Sequence, residues 1–113
     1  MIKKAALAIL SLIILGQVFA QTKQTDYLTF KLSDKVTMET VQYKNKYGIT
    51  IAAHIYLSKN MDKSKKYPAI VVGTPYGGVR EQGAGIYAQT MAELGFVALA
   101  FDESFNGESS GEP

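Results

Sequence analysis

Ala69-Ile70-Val71-Val72 is an unbroken apolar run that stops at Gly73 and gives way to Thr74-Pro75-Tyr76-Gly77-Gly78. No other stretch limits the possible folds so tightly. A strand with one wet face alternates apolar and polar residues, whereas a continuous run asks for cover on both faces, as strands in parallel α/β sheets have. The glycines that follow permit backbone conformations and close approaches that a Cβ resists. A glycine-rich loop at the carboxyl end of a parallel strand is where open α/β sheets place their ligands. This loop holds no Lys, Cys, His or carboxylate. Its chemistry must therefore come from backbone N–H groups.

The flanking sequence supplies the rest of a layered α/β unit. Ala84, Tyr87, Ala88, Met91 and Leu94 recur at intervals of three and four, predicting a helix with one apolar stripe. Gly95 ends it, and a left-handed glycine there lets Phe96 fold back onto Met91. Phe96–Phe101 is a second continuously apolar strand, closed by Asp102. Strand, loop, helix and strand over Tyr67–Asp102 suit one right-handed βαβ crossover. Upstream, Val36–Lys46 and Ile49–Leu57 flank a Tyr47-Gly48 turn and predict an antiparallel hairpin with one buried face. Ile49, Ile51, Ala53, Ile55 and Leu57 fall on one side of its second strand, and Thr50, Ala52, His54 and Tyr56 on the other. Ser58–Lys66, rich in lysine, reads as a solvated connection rather than a phosphate site. The fold class is α/β, with a hairpin and one βαβ unit in a mixed, mostly parallel sheet.

Three segments are expected: a signal peptide over residues 1–20, a polar lead-in over 21–35 with room for a short strand, and a partial α/β domain over 36–113. Lys3 and Lys4 precede an apolar run, and Val18-Phe19-Ala20 places small residues where signal peptidase reads, so cleavage is expected between Ala20 and Gln21. The run is shorter and more interrupted than a spanning helix needs, at Gly16 and Gln17. An exported protein without a stable membrane anchor after cleavage follows. Removing Lys3 and Lys4 brings the 12 basic residues of the whole chain level with its 10 acidic ones, which argues against nucleic acid as a partner. The absence of Cys rules out disulfides.

As a nucleotide site the glycine loop fails on spacing, being neither the dinucleotide fingerprint nor a P-loop. A plain tight turn needs no second glycine. An oxyanion-stabilising loop fits better, with a strand ending, a turn aiming N–H groups at the pocket and a helix beginning. Gly107-Glu108-Ser109-Ser110-Gly111 matches Gly-x-Ser-x-Gly literally, but the nucleophile turn of a serine hydrolase needs a buried strand directly before the serine and a helix directly after. Ser109 has neither. His54, the single histidine, sits mid-strand and reads as a structural or solvent-facing residue. Asp102 stands at a strand end where a triad acid could sit, yet such residues more often fix the next loop by accepting backbone hydrogen bonds.

Pro68-Ala-Ile-Val-Val-Gly-Thr-Pro-Tyr-Gly-Gly-Val-Arg-Glu-Gln82, then Ala92-Glu-Leu-Gly-Phe-Val-Ala-Leu-Ala-Phe-Asp102 and Gly107-Glu-Ser-Ser-Gly-Glu-Pro113, together resemble the amino-terminal half of an α/β hydrolase. Within that superfamily they are most similar to the dienelactone-hydrolase-like and prolyl-peptidase-like branches. The resemblance covers about Val36–Pro113 and implies an ester- or amide-cleaving serine hydrolase with a small-molecule substrate. It places the first oxyanion donor on the Tyr76 N–H, with Gly77 beside it, and makes Thr74, where many members carry His, a support of the loop together with Asp102. It also implies that serine, acid and histidine follow later than Pro113, so that this chain carries no catalytic triad and is inactive alone. The family sheet sets the nucleophile-bearing strand beside Ala69–Gly73. Neither a cofactor nor a metal ion is implied. A small exported binding module without catalysis is the alternative from a different class.

Overall fold

The computed structural model describes residues 27–111. The segment expected to direct export lies outside the described residues, as does the first part of the lead-in. Among the described residues no helix is long and apolar enough to cross a membrane. From Tyr27 to Lys35 the chain forms turns and coil, with no strand. It is nevertheless held in place: the Thr29 N–H donates to the Glu81 carbonyl at 3.0 Å, the Ser33 N–H to Gln89 Oε1 at 2.8 Å, and Phe30 and Leu32 pack on the core.

Four strands and one helix follow, β1 (Val36–Lys44), β2 (Thr50–Ser58), β3 (Ala69–Val72), α1 (Gly83–Glu93) and β4 (Val97–Phe101). They form one mixed sheet in the order β1-β2-β4-β3, in which β1 and β2 form the antiparallel hairpin, β2 pairs antiparallel with β4, and β3 pairs parallel with β4. The class is α/β, and these elements make a partial α/β fold. Asn45 closes the hairpin, its Oδ1 accepting the N–H groups of Tyr47 and Ile49. Helix α1 stops as a Schellman turn, with the Gly95 N–H on the Ala92 carbonyl and the Phe96 N–H on the Met91 carbonyl. Gly95 has the left-handed φ of 94° that this stop requires.

Two expectations about packing are corrected. The buried face of α1 consists of Ala84, Gly85, Ala88 and Ala92, while Tyr87 and Leu94 are exposed. The true stripe is the i, i+4, i+8 row of small residues, because alanines let the helix axis approach the sheet closely. Their sheet-side partners are also small, Ala98 and Ala100, joined by Val36 and Tyr56. The hairpin is corrected likewise, for β2 is buried on both sides rather than one, Ile51 and Ala53 on one and Ala52, His54 and Tyr56 on the other. Alternation along a strand puts Ala52, His54 and Tyr56 on one side, and that side, with Tyr56 in the cluster of helix alanines, is the one α1 covers. The isoleucine side faces away from it.

Strand β3 is an edge, and Val71 is 66% exposed. Among the described residues its two-sided cover is half present, since α1 is the one helix and lies on one side. The unpaired backbone edge and exposed valine together make a surface on which another strand can add.

Candidate functional site

The turn that follows β3 is built by Pro75, Tyr76, Gly77 and Gly78. The Gly78 N–H closes it on the Pro75 carbonyl at 2.8 Å, and Gly77 takes φ 75°, the left-handed position a type II turn demands of its third residue. Among the described residues the N–H groups of Tyr76 and Gly77 donate to nothing. The Tyr76 side chain is fully exposed, so the backbone rather than the ring defines the turn. Thr74 is buried at its base, with a hydroxyl that finds no partner among the described residues.

Behind the turn lies a buried ion-pair network. Asp102, immediately after β4, is completely buried; its Oδ1 accepts the Arg80 N–H at 2.7 Å and its Oδ2 accepts the Glu108 N–H at 3.0 Å. The Arg80 guanidinium, 2% exposed as a residue, bonds Asp102 through Nη1 and Glu108 through Nη2, and pairs with Glu81 at 3.0 Å. Asn106 adds a hydrogen bond from Nδ2 to the Gly78 carbonyl at 2.6 Å. The loop after β4 is thereby latched to the glycine loop. Burial opposes the Arg80 charge, but the hydrogen bond to Glu108 and the charges of Asp102, Glu81 and Glu108 more than offset it, so its pKa is raised. Glu81 is also raised, chiefly by burial, with Arg80 acting against it.

His54 is buried, with Nδ1 unpaired among the described residues. Burial first, and the Arg80 charge second, push its pKa down to about 4, against the opposing pull of Asp102 and Glu108. It is a neutral imidazole packed edge-on to Tyr56, with ring centroids 6.2 Å apart. Of the two positions left open by the sequence, structural and solvent-facing, it takes the first. Ser109 is equally committed: its hydroxyl accepts the Ala52 N–H at 3.0 Å and donates to the Asp102 carbonyl at 2.8 Å. The literal Gly-x-Ser-x-Gly match is a clamp between β2 and the end of β4.

The structure thus brings Tyr76, Gly77, Thr74 and Asp102 to one end of the sheet. Sequence reasoning missed Arg80, Asn106 and Glu108. Among the described residues no three His, Asp or Glu side chains group as a metal site. The arrangement offers unpartnered backbone donors on a braced turn.

Sheet order, covering helix and loop positions define an amino-terminal part of α/β-hydrolase-like fold. The crystal structure of hypothetical protein PA2218 from Pseudomonas aeruginosa superposes with a TM-score of 0.74 at 55% identity, over 80% of this chain and 28% of that one. DcsB, solved in complex with its substrate analogue, gives 0.59 at 27% identity over 68% of this chain and 25% of that one. Brefeldin A esterase, a bacterial homologue of human hormone-sensitive lipase, gives 0.50 at 15% identity over 87% and 29%, a likeness of fold alone. In sequence the chain is 58% identical to PA2218 over 85 residues, 75% of this chain and 23% of that protein. It is 51% identical to the uncharacterized Escherichia coli protein YcjY over 65 residues, 58% of this chain and 21% of that protein. The chain spans under a quarter of the length of these curated relatives. No protein-family model matches it.

Proposed function

We propose that this chain is the amino-terminal part of an exported serine hydrolase of the α/β-hydrolase superfamily, dienelactone-hydrolase-like or prolyl-peptidase-like, which transfers an acyl group from an ester or amide to water. The observation that carries this reading is the pair of unpartnered N–H groups, Tyr76 and Gly77, on a turn at the carboxyl end of a parallel strand. A tetrahedral intermediate develops negative charge on one oxygen, and backbone donors fixed before the reaction stabilise it without reorganising. Asp102 and Arg80 fix this turn, and Thr74 underlies it. In this reading the attacking serine, its histidine base and the orienting acid come from the longer protein, and the next parallel strand pairs with the open edge of β3. The chain by itself retains at most the residual catalysis of an oxyanion hole.

Tyr76→Pro in the full-length enzyme tests the assignment, because proline suits the second position of such a turn and deletes the N–H, with Tyr76→Ala, which loses the same fully exposed ring but keeps the N–H, as control. The expected result is a kcat lower by about 10²–10³-fold with KM changed far less. A fluorophosphonate probe should label a serine outside residues 27–111, and the exported product should begin at Gln21. An unchanged kcat, or labelling at Ser109, overturns the reading.

A further inference from the structure

On the side of the sheet away from α1 there is a cavity of about 480 Å³ between the hairpin end and the loop after β4. Tyr43, Asn45, Ile51, Phe101, Glu103, Ser104 and Phe105 line it. The register explains why the strand residues meet, since Tyr43 pairs with Ile51, and Ala53, two residues on, pairs with Phe101, so Tyr43, Ile51 and Phe101 project to the side opposite Tyr56. We propose that this cavity is a binding site for a small organic cation with a methylated, tertiary or quaternary ammonium group. The proposal is independent of the acyl-transfer reading.

The lining carries the choice of ligand. Three aromatic rings border this open pocket, and ring faces attract a cation through the quadrupole of the π-system. The Glu103 carboxylate completes the charge complement, and it forms no ion pair or hydrogen bond among the described residues. A primary ammonium carries three N–H donors and needs as many acceptors. The side-chain acceptors left open here are the Glu103 carboxylate and the Ser104 hydroxyl, since Asn45 Oδ1 already accepts the N–H groups of Tyr47 and Ile49. Three rings and one carboxylate therefore suit a cation whose hydrogens have been replaced by methyl groups.

The walls are also set in advance. Phe105 is the one described non-glycine residue with positive φ, at 69°, a costly conformation for an aromatic residue and one that persists only where its surroundings enforce it. Here they do. The Phe105 N–H donates to the Ser110 carbonyl at 3.1 Å, the Ser110 N–H to the Thr50 carbonyl at 2.8 Å, and the Thr50 N–H to Ser110 Oγ at 2.9 Å. Its ring lies so close over Gly111 that a Cβ there would collide with it. The loop backbone that carries this wall is therefore tied, before any ligand arrives, to the start of β2, the strand that supplies the opposite wall.

The test is a titration of the chain with choline and with tetramethylammonium, followed by amide NMR, beside choline's neutral tert-butyl analogue as control. Saturable shifts at Glu103, Ser104 and Phe105 are expected from both cations and not from the neutral compound. Glu103→Gln and Phe105→Gly should each weaken binding by roughly fivefold or more. Glycine accepts the backbone conformation at 105 without strain, so loss in that variant reports the missing ring rather than unfolding. The proposal is overturned if neither cation binds, if the neutral analogue binds equally well, or if both variants bind as the parent does.

Discussion

Replacing Asp102 with alanine should remove most of the stability of the fold around the glycine turn. Asp102 is completely buried and faces Arg80, itself 2% exposed, so the substitution takes from a buried cation its one fully buried counter-charge and leaves it Glu81 and the largely exposed Glu108. Breaking a buried pair from one side costs about 3–5 kcal/mol. The same carboxylate accepts the N–H groups of Arg80 and Glu108, which adds to the loss, while Glu81 and Glu108 still face the guanidinium, so Asp102→Ala should cost about 3 kcal/mol. Arg80→Met strands the opposite charge and should cost about 3 kcal/mol. Glu108→Gln should cost less than about 1 kcal/mol, since that side chain is largely exposed and water screens it. The double variant Arg80→Met/Asp102→Ala strands neither charge and should recover about 2 kcal/mol or more against the sum of the single changes. Urea unfolding followed by circular dichroism measures all four, urea being chosen because it leaves ion pairs unscreened. Were Asp102→Ala within about 1 kcal/mol of the parent, or the double variant additive, the charges would not be coupled and the latch would fail as the support of the turn.

His54 gives a pH signature. Its folded-state pKa is depressed from 6.5 to about 4, so the unfolded chain binds the proton first; stability is full above pH 6.5 and falls as pH drops toward 4, by at most about 3 kcal/mol. The raised pKa of Glu81 acts in the opposite sense just above its ordinary value, so the difference between the parent and His54→Gln isolates the histidine, and parallel curves for the two would refute the assignment. Ser109→Ala should cost about 1–3 kcal/mol and speed exchange of the Ala52 amide, which loses its acceptor; unchanged stability would show that the hydroxyl is free for another role.

The elements themselves were readable because their signals are local. Gly95 supplies a left-handed stop, the two apolar runs find each other as parallel neighbours, and Tyr47-Gly48 turns the hairpin. What the sequence hid depends on partners distant in the chain. Arg80 looks like a solvated loop cation until the fold brings Asp102, 22 residues later, beneath it. Neither side of β2 is distinctly polar, and periodicity cannot say which one receives the helix; the answer came from size, since α1 settles on small residues and Tyr56 rather than on the isoleucines. Val71 marks another boundary. Its run asks for two covering layers, and α1 supplies one.

The alanines at 84, 88, 92, 98 and 100 set a distance as well as filling a core. They work as a spacer gauge between helix and sheet, and the helix they position begins three residues after Arg80. An added methyl group anywhere along that gauge would lift α1 and carry the Gly78–Arg80 segment with it. Residues that never approach a ligand therefore determine how high the Tyr76 and Gly77 N–H groups stand above the end of β3.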